Sequence, residues 1–278
     1  MVFNNYMDCI LCTNLMIKFT DDSYLDLPVF QCKKCDFLVT GESLDEIKEK
    51  TISIYKKDFW VKEGDSKTII KNNYTDIDSQ GKIRNHVSQY KYCKPYLKNK
   101  KKILEIGAGQ GQSVYLFDKE GYSVEFIEPD KNNVMLINQK LGKDCGIIDT
   151  AENFQSDKKF EIIWMSHVLE HLTNPIMFFK NISKNLINDG ILFIEVPNCE
   201  NPLVLDKSIH KVPHTFHFSK SSLIKIVEKC NFKVISCDYF RPATKLEGIS
   251  NKLKKLTFYP RILTNNKKGE VLRIILKI

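Results

Sequence analysis

The chain has 278 residues, with 42 Lys or Arg against 34 Asp or Glu and a formal charge of +8. That length accommodates one large α/β domain with a small appendage. No apolar run approaches the roughly 18 residues of a membrane span, and the opening MVFNNYMDCILC lacks the basic flank and apolar stretch of a secretory signal, so a cytoplasmic location is expected.

The nine cysteines are an odd number, which argues for thiols or metal ligands over a disulfide framework. Cys9-x2-Cys12 and Cys32-x2-Cys35 are separated by 19 residues, the spacing of a four-thiolate zinc site. Four thiolates leave no open coordination position, so the expected Zn2+ is structural. Residues 1–42 are read as this zinc ribbon. Lys18, Lys33 and Lys34 there are outnumbered by Asp8, Asp21, Asp22, Asp26 and Asp36, which disfavours binding to a phosphate backbone. Residues 43–98 follow as a helical linker or lid, with SLDEIKEKTISIYKKDFW and KIRNHVSQYKYCKPYL as its two helices and Asn72 to Gln80 as a polar break. Tyr55, Trp60 and Tyr74 are aromatic candidates for an acceptor wall, although plain core packing is the simpler account of each.

From residue 99 to 278 short apolar runs alternate with amphipathic helices: KKILEIG, SVYLFDKEG, SVEFIEP, NNVMLINQKLG, CGIIDT, FEIIWMS, NPIMFFKNISKNL and ILFIEVP. This alternation predicts a mainly parallel sheet covered on both faces by helices. The turn Asn188-Asp189-Gly190 is expected to stop the helix before ILFIEVP. A loop rich in His and Pro, a helix from about Ser219 to Cys230, and the strands FKVISCDYF and EVLRIILKI complete the reading. Between those strands lies a basic, partly helical insertion at about 244–268. Arg241 to Ile278 holds ten Lys or Arg against two acids, a local excess of eight that confines the basic patch to the tail.

The strongest local signal is Ile103 to Gly111, an apolar strand running into Gly107-Ala108-Gly109-Gln110-Gly111 and then a helix. Glycines let the backbone turn at positive φ and approach a ligand closely. Gln112 stands where a dinucleotide fingerprint would place its third glycine, which weakens the pyrophosphate reading. Glu128 ends the second strand, where a carboxylate can take both ribose hydroxyls, and Asp149 ends the third, where it or the following backbone could reach an adenine edge.

LEIGAGQG, FIEPD, SHVLEHLTNP and LINDGILFIEVPN, with the closing antiparallel pair, resemble the motifs of class I S-adenosylmethionine-dependent methyltransferases. The resemblance implies a Rossmann-like, seven-stranded α/β fold. It also implies S-adenosylmethionine as cofactor, with Glu105 and the glycines toward its methionine part and Glu128 on the ribose. The cofactor set is then Glu105, Gly107, Ala108, Gly109, Gly111, Glu128, Pro129, Asp149, Thr150, Ala151 and Ser166.

Five histidines, His167, His171, His210, His214 and His217, follow the fourth or fifth sheet strand, at the carboxyl ends where open α/β sheets bind ligands. His167, His214 and His217 are the catalytic candidates, while His171 and His210 read more simply as core or helix-end residues. PHTFHFSKSSL is similar to the base-bearing segment of zinc-containing deoxysugar C-methyltransferases. Of their Tyr-His-Glu-His run only the last His is present, at His214. Pro213 takes the acidic position and Val212 that of the preceding His. The departure moves the expected acceptor from carbon to oxygen, with His214 as base. The expected reaction is methylation of a small acceptor, phosphorylated or nucleotide-linked, such as a sugar in surface-polysaccharide or natural-product assembly. An RNA methyltransferase, a sugar C-methyltransferase and a non-enzymatic cofactor-binding scaffold are the alternatives.

Overall fold

A computed structural model describes residues 6–56, 80–243 and 261–278. The N-terminal sheet is antiparallel and five-stranded, β1 (Tyr6–Asp8), β2 (Leu15–Thr20), β3 (Val29–Gln31), β4 (Leu38–Thr40) and β10 (Phe216–His217), in that order. Its last strand comes from the far half of the chain: Phe216 pairs with Val39 and His217 with Leu38. Among the described residues two helices follow β4 before the central sheet, α1 (Leu44–Lys56) and α2 (Gln80–Cys93); of the proposed aromatic wall, the side chain of Tyr55 and all of Trp60 and Tyr74 lie outside what the structure describes, as do the polar break up to 79 and most of the basic insertion.

The central sheet has the order β12 (Arg261–Thr264), β11 (Lys233–Pro242), β13 (Val271–Lys277), β9 (Leu186–Pro197), β8 (Phe160–Ser166), β5 (Lys102–Ile106), β6 (Ser123–Ile127), β7 (Gly146–Ile147). Strands β5 to β9 run parallel, and β13, β11 and β12 close the edge antiparallel. The expected fold class holds, with eight strands in place of seven. The extra one is β12, drawn from the insertion: Arg261 to Thr264 pair with Pro242 to Tyr239, and Arg261 bonds Glu270 at 2.9 Å.

Helix ends follow local chemistry. Asp130 caps α4 (Lys131–Leu141) by accepting from Asn132 N, and Gly142 closes it in the left-handed region. Asn174 with Pro175 opens α5 (Pro175–Ile182), and Ser219 with Ser222 forms a capping box on α7 (Lys220–Lys229). The helix before β9 stops earlier than the Asn-Asp-Gly turn. Asn185 turns its amide onto the Ser156 and Lys158 carbonyls at 2.6 and 2.9 Å, and β9 starts at Leu186 with residues 188–190 inside an irregular register. Part of the expected loop is also helical: Asn201 caps α6 (Pro202–His210).

One face of the sheet packs Ile103, Ile162, Trp164 and Phe193 against Tyr90 and Cys93 of α2 and Phe117 of α3 (Gln112–Lys119). The other face packs Leu104, Ile163 and Ile194 into a core that runs without a break into Met16, Phe30, Phe37 and the four paired cysteines. Phe37 stacks on Phe216 at 5.7 Å and touches Phe218 at 5.8 Å. The N-terminal sheet thus shares its core with the central one.

Candidate functional site

Ile106 is level with Ile127 on one side and Met165 on the other, so the chain leaves β5, β6 and β8 at one height. Successive connections depart to opposite sides of β5, which opens a crevice there. Gly107, Gly109 and Gly111 all have positive φ, +70°, +54° and +79°. A Cβ on Gly107 would stand 2.4 Å from Val168 Cγ2, whereas one on Gly109 would meet nothing within 4 Å. The turn is therefore packed against the segment after β8 at its first glycine and open at its second.

Two buried carboxylates sit beneath it. Glu128 accepts from Gly109 N at 2.8 Å and from Asp130 N at 3.0 Å, so it pins the turn, and burial raises its pKa. Glu105 accepts from Ser113 Oγ; burial pushes its pKa up to about 8 against that hydrogen bond, and its Oε2 has no partner among the described residues. Ala108 is buried and Pro129 exposed. Asp149 accepts from Thr150 N at 2.8 Å beside the half-buried Ala151, and Ser166 Oγ accepts from Gln89 Nε2 at 2.9 Å.

On the other side of the turn, His167 has φ +56° and bonds two buried carboxylates, Glu170 through Nδ1 at 3.1 Å and Glu195 through Nε2 at 3.2 Å. Burial alone would lower its pKa, but the bonds and charges of Glu170 and Glu195 outweigh this and raise it to about 10. His167 is thus held as a cation at neutral pH. Glu195 is also paired with the fully buried Arg273 at 2.6 Å, whose Nη2 donates to Asn85 Oδ1 and Ser88 Oγ of α2.

Beyond Glu170 the polar chain continues. The rings of His171 and His214 meet edge to face at 4.6 Å, His171 Nδ1 faces the Pro213 carbonyl at 3.3 Å, and His214 Nδ1 is 2.7 Å from Ser208 Oγ. Burial lowers the His214 pKa to about 3, so its imidazole is neutral. His217 requires a correction. It is fully buried, with Nδ1 on Ser208 Oγ at 2.8 Å and Nε2 on Thr40 Oγ1 at 2.9 Å. Both ring nitrogens serve the joint between the two sheets, and neither can serve catalysis. His210 sits at the end of α6 near Asp22 and Asp206, as its simpler reading implied.

A sequence model of a methyltransferase domain family matches residues 81–237. The chain belongs to this family. It is similar to the ubiquinone biosynthesis O-methyltransferases of Pelagibacter ubique (strain HTCC1062), 29% identical over 165 residues covering 56% of this chain and 67% of the relative, and of Rickettsia prowazekii (strain Madrid E), 26% identical over 133 residues covering 46% and 44%. The chain thus spans less than half the length of the Rickettsia relative. In fold it is similar to the plantazolicin methyltransferase BpumL solved with a triazolic desmethylPZN analog and SAH (TM-score 0.55, 18% identity, 84% of this chain and 98% of that one). It is also similar to a SAM-dependent methyltransferase from Archaeoglobus fulgidus (TM-score 0.52, 18%, 72% and 95%). The methyltransferase domain is of the S-adenosylmethionine-dependent class, and the glycine turn with Glu105 and Glu128 is where its cofactor residues are expected.

The methyltransferase domain also carries residues that sequence reasoning missed: Glu170, Glu195, Arg273, Asn85 and Ser208. A signal existed for two of them. Glu195 and Arg273 interrupt otherwise apolar strands, and a charge in a buried strand needs a partner. Their strands are antiparallel neighbours, with Glu195 opposite Arg273.

The four N-terminal cysteines converge. Sγ separations are 3.4 Å for Cys12 and Cys32, 3.6 Å for Cys9 and Cys35, and 3.8 Å for Cys12 and Cys35, far beyond a disulfide bond. The two pairs are built alike: Thr13 and Asp36, each following the second cysteine, have φ of +57° and +54° and donate N–H to Cys9 O and Cys32 O.

Proposed function

We propose that the protein transfers a methyl group from S-adenosylmethionine to a hydroxyl oxygen of a small molecule. The observation that supports this is the packing of the glycine turn on Val168, in the segment bearing His167, Glu170 and His171, together with the edge-to-face contact of His171 with His214. Glu105, Gly107, Ala108, Gly109 and Gly111 would hold the amino-acid part of the cofactor. Glu128 and Pro129 would lie at the ribose, and Asp149, Thr150, Ala151 and Ser166 at the remaining edges. When bound, the cofactor supplies a methyl group on a sulfonium, and alignment of the acceptor behind that group provides most of the rate.

The chain's own part is to exclude water, to fix the acceptor and to manage its proton. In the tautomer in which His214 Nδ1 donates to Ser208 Oγ, Nε2 would be the atom to take the hydroxyl proton, and binding of the acceptor would have to raise the low basicity that burial gives this imidazole. His167, with both ring nitrogens held by Glu170 and Glu195, would fix the segment after β8 against the glycine turn. The name O-methyltransferase among the relatives supports oxygen as the accepting atom. A sugar or nucleotide-linked hydroxyl is the narrower acceptor we propose to screen first.

The four thiolates fit zinc: a tetrahedron with Zn–S near 2.3 Å has sulfur–sulfur edges of about 3.8 Å, against 3.4 to 3.8 Å here. Closed by four thiolates, the ion would be structural, and residues 1–42 a zinc ribbon, 43–98 a lid and 99–278 the catalytic unit.

Titration with S-adenosylhomocysteine tests the cofactor assignment. Wild-type protein should bind one equivalent, and Glu128→Ala should weaken it at least tenfold by freeing the glycine turn and removing a ribose acceptor. Equal affinity in the two proteins would overturn the assignment. His214→Ala should keep that affinity and lower methyl transfer about 10²-fold or more, the usual contribution of a general base.

A further inference from the structure

Glu170, His171 and His214 each offer one ligand atom, and these three atoms lie within 4.8 Å of one another. Glu170 is 1% exposed; its Oε1 takes His167, while its buried Oε2 has no hydrogen-bond partner among the described residues. A buried carboxylate oxygen without a donor is costly. Each imidazole has a polar partner at Nδ1, His171 the Pro213 carbonyl and His214 the Ser208 hydroxyl. Metal-binding histidines are oriented in this way, by a bond at the ring nitrogen that does not face the ion.

We propose that Glu170, His171 and His214 form a binding site for one divalent first-row transition-metal cation, separate from the four-thiolate cluster. Two imidazoles and one carboxylate on one side of an ion leave positions open for exogenous oxygen ligands. Ligand atoms around such an ion stand about 3 to 4.5 Å apart, so small side-chain rotations complete the set. The 4.8 Å grouping also brings together two residues of one short turn, Glu170 and His171, with one residue 43 positions later. The backbone joins them too: Thr215 N donates to Glu170 O at 2.8 Å. The ion's role follows from its place beside the crevice: it would orient an acceptor oxygen and lower the pKa of its hydroxyl. That role rests on the proposed O-methyl transfer, whereas the binding site does not. With the ion bound, His214 acts as a ligand and the acceptor proton leaves to solvent.

The experiment uses full-length protein with its thiolate site left intact and Mn2+ alone as probe, because Mn2+ favours oxygen and nitrogen ligands over thiolates. Free Mn2+ is followed by electron paramagnetic resonance. Wild-type protein should bind one Mn2+ per chain, and His171→Asn and Glu170→Gln should each weaken binding at least tenfold. His210→Asn, a change at another histidine on the same side of the fold, should leave it unaltered. Glu170→Gln risks misfolding, so His171→Asn, partly exposed, decides the matter, with S-adenosylhomocysteine binding as proof of fold. No bound Mn2+ in folded wild-type protein, or equal binding in wild type and His171→Asn, would overturn the site. Mn2+ binding lost in His171→Asn, in a protein that methylates no hydroxyl acceptor, would uphold the site and reject the O-methyl transfer. Methyl transfer at full rate without Mn2+ binding would do the reverse.

Discussion

Glu105 shows how a single residue couples the fold to its ligand. Its pKa is raised by burial from the usual carboxylate range to about 8, so the folded protein keeps a proton that the unfolded chain releases near pH 4.5. The sign is definite: this group's contribution to stability is full below the unfolded pKa and is lost as pH rises toward 8. A ligand ammonium placed against Glu105 favours the ionised form and must expel the proton. Binding of S-adenosylhomocysteine at pH 7 should therefore release close to one proton, read as a dependence of the calorimetric enthalpy on buffer ionisation enthalpy. Glu105→Gln should abolish that dependence, and a buffer-independent wild type would separate Glu105 from the amino-acid end of the ligand. The glycine turn was legible in the sequence because positive φ favours glycine, and Glu128 stood out at the end of its strand, whereas Glu105 was named only through the family resemblance. His217 was not, because its role depends on Thr40, 177 residues away, and on Ser208, which no spacing rule connects to it.

At the scale of elements, β9 and β13 carry the buried pair of Glu195 and Arg273, joined to α2 through Asn85 and Ser88. Arg273 also lies over the Phe240 ring at 4.0 Å. Removing one partner of such a pair strands the other charge in the core and costs about 3 to 5 kcal/mol. Arg273→Leu should lose that much in denaturant unfolding, and Arg273→Leu with Glu195→Leu should recover a large part of it. A double variant no more stable than the single one would show that the stranded carboxylate is not the cause. The strands and helices of the parallel half were legible because their apolar periodicity is set by burial on the sheet. α6 and β12 were harder: α6 announces itself only through Asn201-Pro202, and β12 is a strand because the edge of β11 has unpaired backbone groups to offer it. The four-residue β12 gives no apolar alternation long enough to read.

Across the whole molecule, the polar chain from Arg273 through Glu195, His167 and Glu170 continues past His214 and Ser208 to His217 and Thr40, tying the two sheets through groups with fixed protonation. His86, His214 and His217 have pKa values lowered by burial to about 4, 3 and 3. Unfolding lets each take a proton near pH 6.5, so stability is present above that pH and is lost as pH falls toward 4. Each group contributes a slope of about 1.4 kcal/mol per pH unit in that window, and the denaturant midpoint should fall steeply between pH 6.5 and 4 and less steeply in His217→Asn. The same joint sets how the cysteine cluster affects the rest. Cys9, Cys32 and Cys35 lie in the core that contains Ile163 and Ile194, and β10 pairs with β4, so the N-terminal sheet has no boundary at which it could unfold alone. If zinc holds that cluster, stripping it with a chelator should lower the melting temperature of one cooperative transition and weaken S-adenosylhomocysteine binding with it. Two separate transitions, with ligand binding untouched by the chelator, would mean that the shared core does not couple the sheets.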